Sequence, residues 1–275
     1  MNALPRKAKN RQRVFPKAAE QVRAIYRKLA QEWGPQHWWP AESPFEVIVG
    51  AILTQNTSWT NVERAMSSLR QAGVLSMEEI RNITVAQLEP LVRSSGYFRQ
   101  KAQRLKNFVA FVDARYCGSL ERMFAIRTGE LRTALLEQKG IGMETADSIL
   151  LYAGRHAIFV VDAYTRRILQ RHGVLSESAK YDDIRLLVEG ALAQEAIPPP
   201  ATGPDFNTRP KVHAPSTMSG ARQSARVGVY NEMHGLLVQV GKHYCHKQGP
   251  ECDRCPLTEF LSAEQRVRVQ IASKK

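Results

Sequence analysis

Four groups of residues in this 275-residue chain have types and spacings that could do chemistry. The first is the tetrapeptide Lys139-Gly140-Ile141-Gly142, in which two glycines flank one apolar residue. Glycine reaches positive φ and lets a backbone approach another molecule closely, so the tetrapeptide reads as a hairpin between helices. The amide N–H groups opening the next helix have no intrahelical partners and suit an anion such as a phosphate. The second is Asp162, which follows the apolar run 157–161 and opens a helix, where Asp is a favoured N-cap. The third is Cys245, Cys252 and Cys255, three of the four cysteines within eleven residues, a clustering that favours metal over disulfide in an intracellular chain. The fourth is aromatic: His37-Trp38-Trp39-Pro40 sits at a helix junction, and Trp59 ends the polar stretch that starts at Thr54. Adjacent tryptophans at such a junction are more often packing residues than a ligand surface, and in isolation they read as packing.

Charge narrows the partner. The chain carries 39 Lys+Arg against 26 Asp+Glu, a net +13, which implies a polyanion. Nucleic acid is the simplest choice, and an anionic membrane surface would satisfy the same electrostatics. No apolar run approaches the ~18 residues of a membrane span, and the basic start lacks an apolar signal core. A cytoplasmic or nucleoid-associated soluble protein is expected. Its 43% hydrophobic and 24% charged residues are ordinary for a globular chain, and the length suits one large domain or two small ones.

The elements that must position these groups are helical. Apolar spacing predicts helices over 18–32, from Pro44 behind a Ser43 cap, and over 62–69, 77–83 and 85–92. A further helix over 101–116 turns Leu105, Phe108, Val109 and Val112 inward and Lys101, Arg104 and Lys106 outward. After the hairpin, Ala146, Ile149, Leu150 and Ala153 form an apolar face, with Glu144 and Asp147 off it. Helices over 181–196 and from Ala225 complete the set. The run 157–161 is alone among helices and reads as a buried extended link. Residues 1–17 read as a flexible basic arm, and 198–220, rich in Pro, Gly, Ser and Thr, as a mobile insertion.

In LTQNTSW (53–59), SSGYFRQKAQRL (94–105), QKGIGMETADSIL (138–150) and VVDAYTRRIL (160–169) the chain resembles the endonuclease III superfamily of helix-hairpin-helix DNA glycosylases, most closely the 3-methyladenine glycosylase branch. That resemblance implies an all-α, two-lobed fold. Residues 44–160 would form a helical barrel with the hairpin, and 18–43 with 161–275 a discontinuous second domain holding a cysteine loop at 245–261. Asp162 would stand at the mouth of the cleft, stabilising an oxocarbenium-like sugar and orienting or deprotonating a water. This role is compatible with Asp162 capping its helix. Bifunctional members carry a lysine four residues after the first hairpin glycine; here Glu144 stands there, and a carboxylate makes no imine. Adenine-mismatch glycosylases carry a glutamate at the position of Gly50.

What remains is a base that already carries positive charge, an N-alkylated purine, and in the branch that the chain resembles the flipped-out base enters a pocket lined at positions matching Trp38, Trp39, Pro40 and Trp59. Gln55 matches the residue that fills the vacated stack, and in isolation reads as a solvent-facing loop amide. With Lys139, Gly140, Gly142, Glu144 and Thr145 it would contact DNA. The resemblance implies a monomeric, monofunctional glycosylase of base excision repair acting on double-stranded DNA with damaged bases. Its alternatives are a glycosylase/AP lyase for oxidised pyrimidines and a DNA-binding protein without catalysis. Cys245, Cys252 and Cys255 match three of four iron–sulfur positions, with Leu261 at the fourth. That leaves open a 4Fe-4S cluster, a zinc site completed by His243 or His246, or no metal.

Overall fold

The computed structural model describes residues 16–197 and 214–272. The expected arm over residues 1–15 and the insertion over 198–213 lie outside the described residues. Fourteen α-helices follow one another: α1 Pro16–Trp33, α2 Pro44–Leu53, α3 Trp59–Gln71, α4 Met77–Asn82, α5 Val85–Leu91, α6 Phe98–Tyr116, α7 Leu120–Phe124, α8 Thr128–Leu136, α9 Met143–Ser148, α10 Ala163–Arg171, α11 Tyr181–Ala191, α12 Thr217–Gly220, α13 Ala225–His243 and α14 Ala263–Ala272. No strand occurs among the described residues, and residues 158–161 are a buried extended link. No helix among them is long and apolar enough to cross a membrane.

Local chemistry sets the starts. The Ser43 side chain accepts from the Glu46 N–H with Pro44 in the first turn of α2, and Ser76, Ser119 and Ser224 cap α4, α7 and α13 likewise. Thr84 and Gln87 form a reciprocal capping box on α5. Packing then sorts the helices. α2 is almost wholly buried, which explains its continuous apolar sequence, and it packs on α3, α6 and α9. α13 is buried over 227–241 and packs on α1 and α10, with α11 on α1. α9 continues as a π-helical turn, Ile149–Ala153, that touches both α2 and α13 and so bridges the two groups of helices. Such turns recur at functional sites.

Four sequence expectations need correction. Lys101 does not face outward: it is 1% exposed, and its Nζ donates to the carbonyls of Leu53 at 2.9 Å and Ser95 at 2.6 Å. Helical spacing placed it on the polar face, but two chain turns end against it and leave carbonyls that need a donor. Burial first, then the Arg104 charge, lowers its pKa to about 8. Asp147 is fully buried and ion-paired to Arg132. The helix from Tyr181 ends at Ala191 instead of running to 196. The end of the expected insertion is ordered: Ser216 caps α12, and Met218 is buried with its N–H donated to the Ala41 carbonyl at 3.0 Å.

Candidate active site

The hairpin turns where the glycines demand it. Gly140 has φ +88°, and a Cβ there would collide with the Arg104 side chain. Gly142 occupies the N-cap of α9 without a side-chain acceptor, leaving the first amides of the helix facing outward beside exposed Gly142, Met143 and Glu144. Lys139 is exposed, while Thr145 is buried. Gln55 is no free loop amide: its Nε2 donates to the Gly140 carbonyl at 2.9 Å and to Thr145 Oγ1 at 2.8 Å, and its Oε1 accepts from Arg104. The loop before α3 and the hairpin are thereby one surface. Tyr97 extends it, at 64% exposure in a left-handed backbone conformation, next to Ser95, which Lys101 ties to the end of α2. Sequence reading passed over Tyr97; its signal was a large aromatic directly after Gly96 at a helix start.

Asp162 caps α10, with Oδ1 accepting from the Thr165 N–H at 2.7 Å. Its other oxygen lies 3.6 Å from Nε2 of His234, a buried residue of α13 whose Nδ1 is 2.6 Å from the Tyr152 hydroxyl. Burial lowers the His234 pKa against the opposing Asp162 charge, so the imidazole is neutral at neutral pH. Glu144 faces the same carboxylate from α9. One side of Glu144 is open to solvent, but the surrounding protein and then the Asp162 charge push its pKa up to about 7.

The tryptophans meet the same place. Trp39 packs edge-on against Trp59 with centroids 5.1 Å apart and lies 5.0 Å from the Tyr152 ring. Trp38 stands 6.2 Å from both Trp39 and the His234 ring, and the Lys242 ammonium lies 5.5 Å over its indole. Gly50 of α2 passes under this wall, since a Cβ there would come within 3.1 Å of Trp39. Pro40 follows, half-buried. Glu232 of α13 anchors the loop that carries the pair, accepting from the Gln36 N–H at 2.6 Å; burial pushes its pKa up to about 7. Trp38, Trp39, Tyr152, His234, Asp162 and Glu144 thus form one continuous set.

The cysteine loop is closely packed. Cys245, Cys252 and Cys255 line one cavity of about 10 Å³ with Arg171, His172, Tyr244 and Leu261. That is about the size of one water. Leu261 offers no ligand, Arg171 Nη1 donates to Cys245 Sγ at 3.1 Å, and burial pushes the Cys255 thiol up to about 12 and raises Cys252. No three His, Cys, Asp or Glu side chains among the described residues are grouped to hold a metal; His246 instead faces Glu251 at 3.7 Å. These residues do not fit a four-thiolate cluster. The loop is held by hydrogen bonds: Arg171 reaches the carbonyls of His246 and Lys247, Arg167 that of Cys245, and Thr258 that of Cys255. Cys252→Ser is therefore expected to change stability by less than about 1 kcal/mol in calorimetry. A large loss of stability accompanied by loss of bound iron would contradict this.

A glycine hairpin between two helices, followed by an aspartate that caps α10 beside the buried pair Trp38 and Trp39, points to one class: residues 49–194 match the HhH-GPD superfamily of base excision DNA repair proteins, and the chain belongs to that family. Among individual relatives, a Methanocaldococcus jannaschii protein provisionally named a DNA repair glycosylase is 40% identical, over 88% of this chain and 96% of its own. Endonuclease III of Sulfolobus acidocaldarius is 24% identical over 78% and 80%. Of solved structures, the Helicobacter pylori 3-methyladenine DNA glycosylase bound to 1,N6-ethenoadenine matches with TM-score 0.62 and 28% identity, covering 82% of this chain and 97% of that one. An endonuclease III–DNA covalent intermediate shares the fold with TM-score 0.66 at 19% identity.

Proposed function

We propose that this chain is a monofunctional DNA glycosylase that hydrolyses the N-glycosidic bond of alkylated purines of the 3-methyladenine type in double-stranded DNA. The observation that carries the reading is the pairing of the Asp162 carboxylate with a wall of Trp38, Trp39 and Tyr152, while Glu144 stands where a lyase needs an amine. The hairpin amides, Gln55 and the net charge of +13 suit the phosphodiester backbone of a duplex. The damaged base flips out and enters between the aromatic rings, which favour a cationic purine over a neutral one. Asp162 stabilises the positive charge that develops at C1′ and orients the attacking water. The resemblance to a 3-methyladenine glycosylase with a modified adenine bound supports the substrate class. Residues 44–160 serve as the hairpin-bearing domain and 18–43 with 161–275 as the other, the enzyme acting as a monomer.

The test is release of methylated purine from an alkylated duplex, measured beside an oxidised-pyrimidine duplex; release from the second alone would overturn the substrate assignment. The assay also has a predicted pH dependence. The Glu144 carboxyl is neutral below about pH 7, and its ionisation above that pH adds a negative charge beside Asp162 and the incoming phosphates. Duplex affinity is expected to fall as pH rises through about 7, and Glu144→Gln to flatten that limb. A wild-type profile flat across pH 6–8 would count against it.

A further inference from the structure

His234 lies in a helix whose neighbours are apolar, and nothing so far has given it a task. Its imidazole is 5% exposed and enclosed by the rings of Trp38, Phe159 and Tyr152, with centroids 6.2, 6.3 and 5.8 Å away. Nδ1 meets the Tyr152 hydroxyl at 2.6 Å. Nε2 is buried, makes no hydrogen bond within normal limits, and points at Asp162 Oδ2 from 3.6 Å. A buried polar atom left without a partner 3.6 Å from a carboxylate is a costly arrangement for mere packing. It is an expected one for a contact that tightens when DNA closes the cleft, because such bonds are often long in the free enzyme.

We propose that Tyr152 and His234 form a positioning dyad for Asp162: the phenol donates to Nδ1, which leaves the proton on Nε2 facing Asp162 Oδ2. With the Thr165 N–H on Oδ1, both carboxylate oxygens are then held by donors, and the carboxylate can turn neither away from the sugar nor toward Glu144. The carboxylate selects the tautomer: an N–H on Nε2 meets Asp162 Oδ2, whereas an N–H on Nδ1 would turn the Nε2 lone pair toward it. Burial keeps His234 neutral, with one N–H to place, and it keeps the Tyr152 phenol protonated. The groups facing Asp162 are Glu144 from α9, Tyr152 from the π-helical turn, Tyr164 from its own helix and His234 from α13. Of these, His234 is placed to donate to Oδ2. The dyad also reaches the base pocket, because the Tyr152 ring lies against Trp39. A base seated against Trp39 therefore presses on the group that sets the carboxylate, which joins recognition to chemistry. His234 is a positioning residue, and the inference rests on the role proposed for Asp162.

The experiment compares His234→Phe, His234→Gln and Tyr152→Phe with wild type in single-turnover release from an alkylated duplex. His234→Phe should slow release about tenfold, the worth of one hydrogen bond to a charged group, and move the acid limb of the pH–rate profile to higher pH. His234→Gln, whose amide can donate from near the Nε2 position, should recover most of the rate and restore the limb. Tyr152→Phe should fall between. Affinity for a duplex carrying an abasic analogue should stay within about twofold throughout. A second readout needs no substrate: the ¹⁵N shifts of His234 should report the Nε2–H tautomer, giving way to a mixture in Tyr152→Phe. An Nδ1–H tautomer in wild type, or a His234→Phe enzyme with the wild-type rate and acid limb, overturns the dyad. Asp162→Asn in the same series separates the two levels. Base release by that variant sinks the parent reading and the dyad with it, whereas a dead Asp162→Asn beside a fully active His234→Phe sinks the dyad alone.

Discussion

Asp162→Asn is expected to abolish base release, by at least about a thousandfold in single turnover, while the protein stays folded and binds duplex within about twofold of wild type. The substitution removes the charge and keeps the shape. Asn is as good an N-cap as Asp, so its Oδ1 still accepts from the Thr165 N–H and α10 starts where it did. In the proposed mechanism, what disappears is the carboxylate that faces the sugar as the glycosidic bond breaks, and the base that would take a proton from water. If Asp162 served only as a cap, the variant would release base at the wild-type rate, and that outcome refutes the catalytic role.

The largest stability effect is expected at the polar network behind Asp162. Asp147 is wholly buried and takes two hydrogen bonds from Arg132, at 2.7 and 3.1 Å. Arg132 also reaches Asp182 at 2.9 Å, Arg185 links Asp182 to Glu189, and Glu189 accepts from the Phe159 N–H at 2.9 Å. The chain of bonds ties α8, α9 and α11 to the extended link that delivers Asp162. Removing Asp147 leaves the half-buried Arg132 with one of its two carboxylate partners, and breaking a buried pair in this way typically costs about 3–5 kcal/mol. Asp147→Ala should therefore lower Tm by roughly 6–20 °C, at about 2–4 °C per kcal/mol for a chain of this size. Calorimetry decides the point. The double variant Asp147→Leu with Arg132→Met should lose less than the single one, because no charge is left stranded; a single variant within about 2 °C of wild type would show the network to be dispensable.

The features legible in the sequence were those whose chemistry is local. A hairpin of two glycines, the Ser43 cap and an aspartate at a helix start need only their own neighbours, and each lies where the spacing placed it. Features set by distant partners were not legible. Lys101 has the spacing of an outward residue, and only the ends of two other segments explain its burial. Asp147 shares a polar flank with Glu144, yet one is sealed against Arg132 and the other is exposed. The aromatic cluster drew its proposed meaning from resemblance, and the contacts of Trp39 with Trp59 and Tyr152 join residues up to 113 positions apart. His234 and Glu232 had a faint signal: two ionisable residues inside an otherwise apolar helical run need partners. Which partners they have depends on how α13 lies against the loop of Trp38 and the start of α10.

Hydrolysis assisted by Asp162 without an amine nucleophile, as proposed, is open to a direct trapping experiment. The protein is incubated with an alkylated duplex in the presence of borohydride, and both released base and protein–DNA adduct are counted. Free methylated purine with no covalent adduct is the predicted result. An adduct trapped in proportion to base release would mean that an amine attacks the sugar, and would contradict the account.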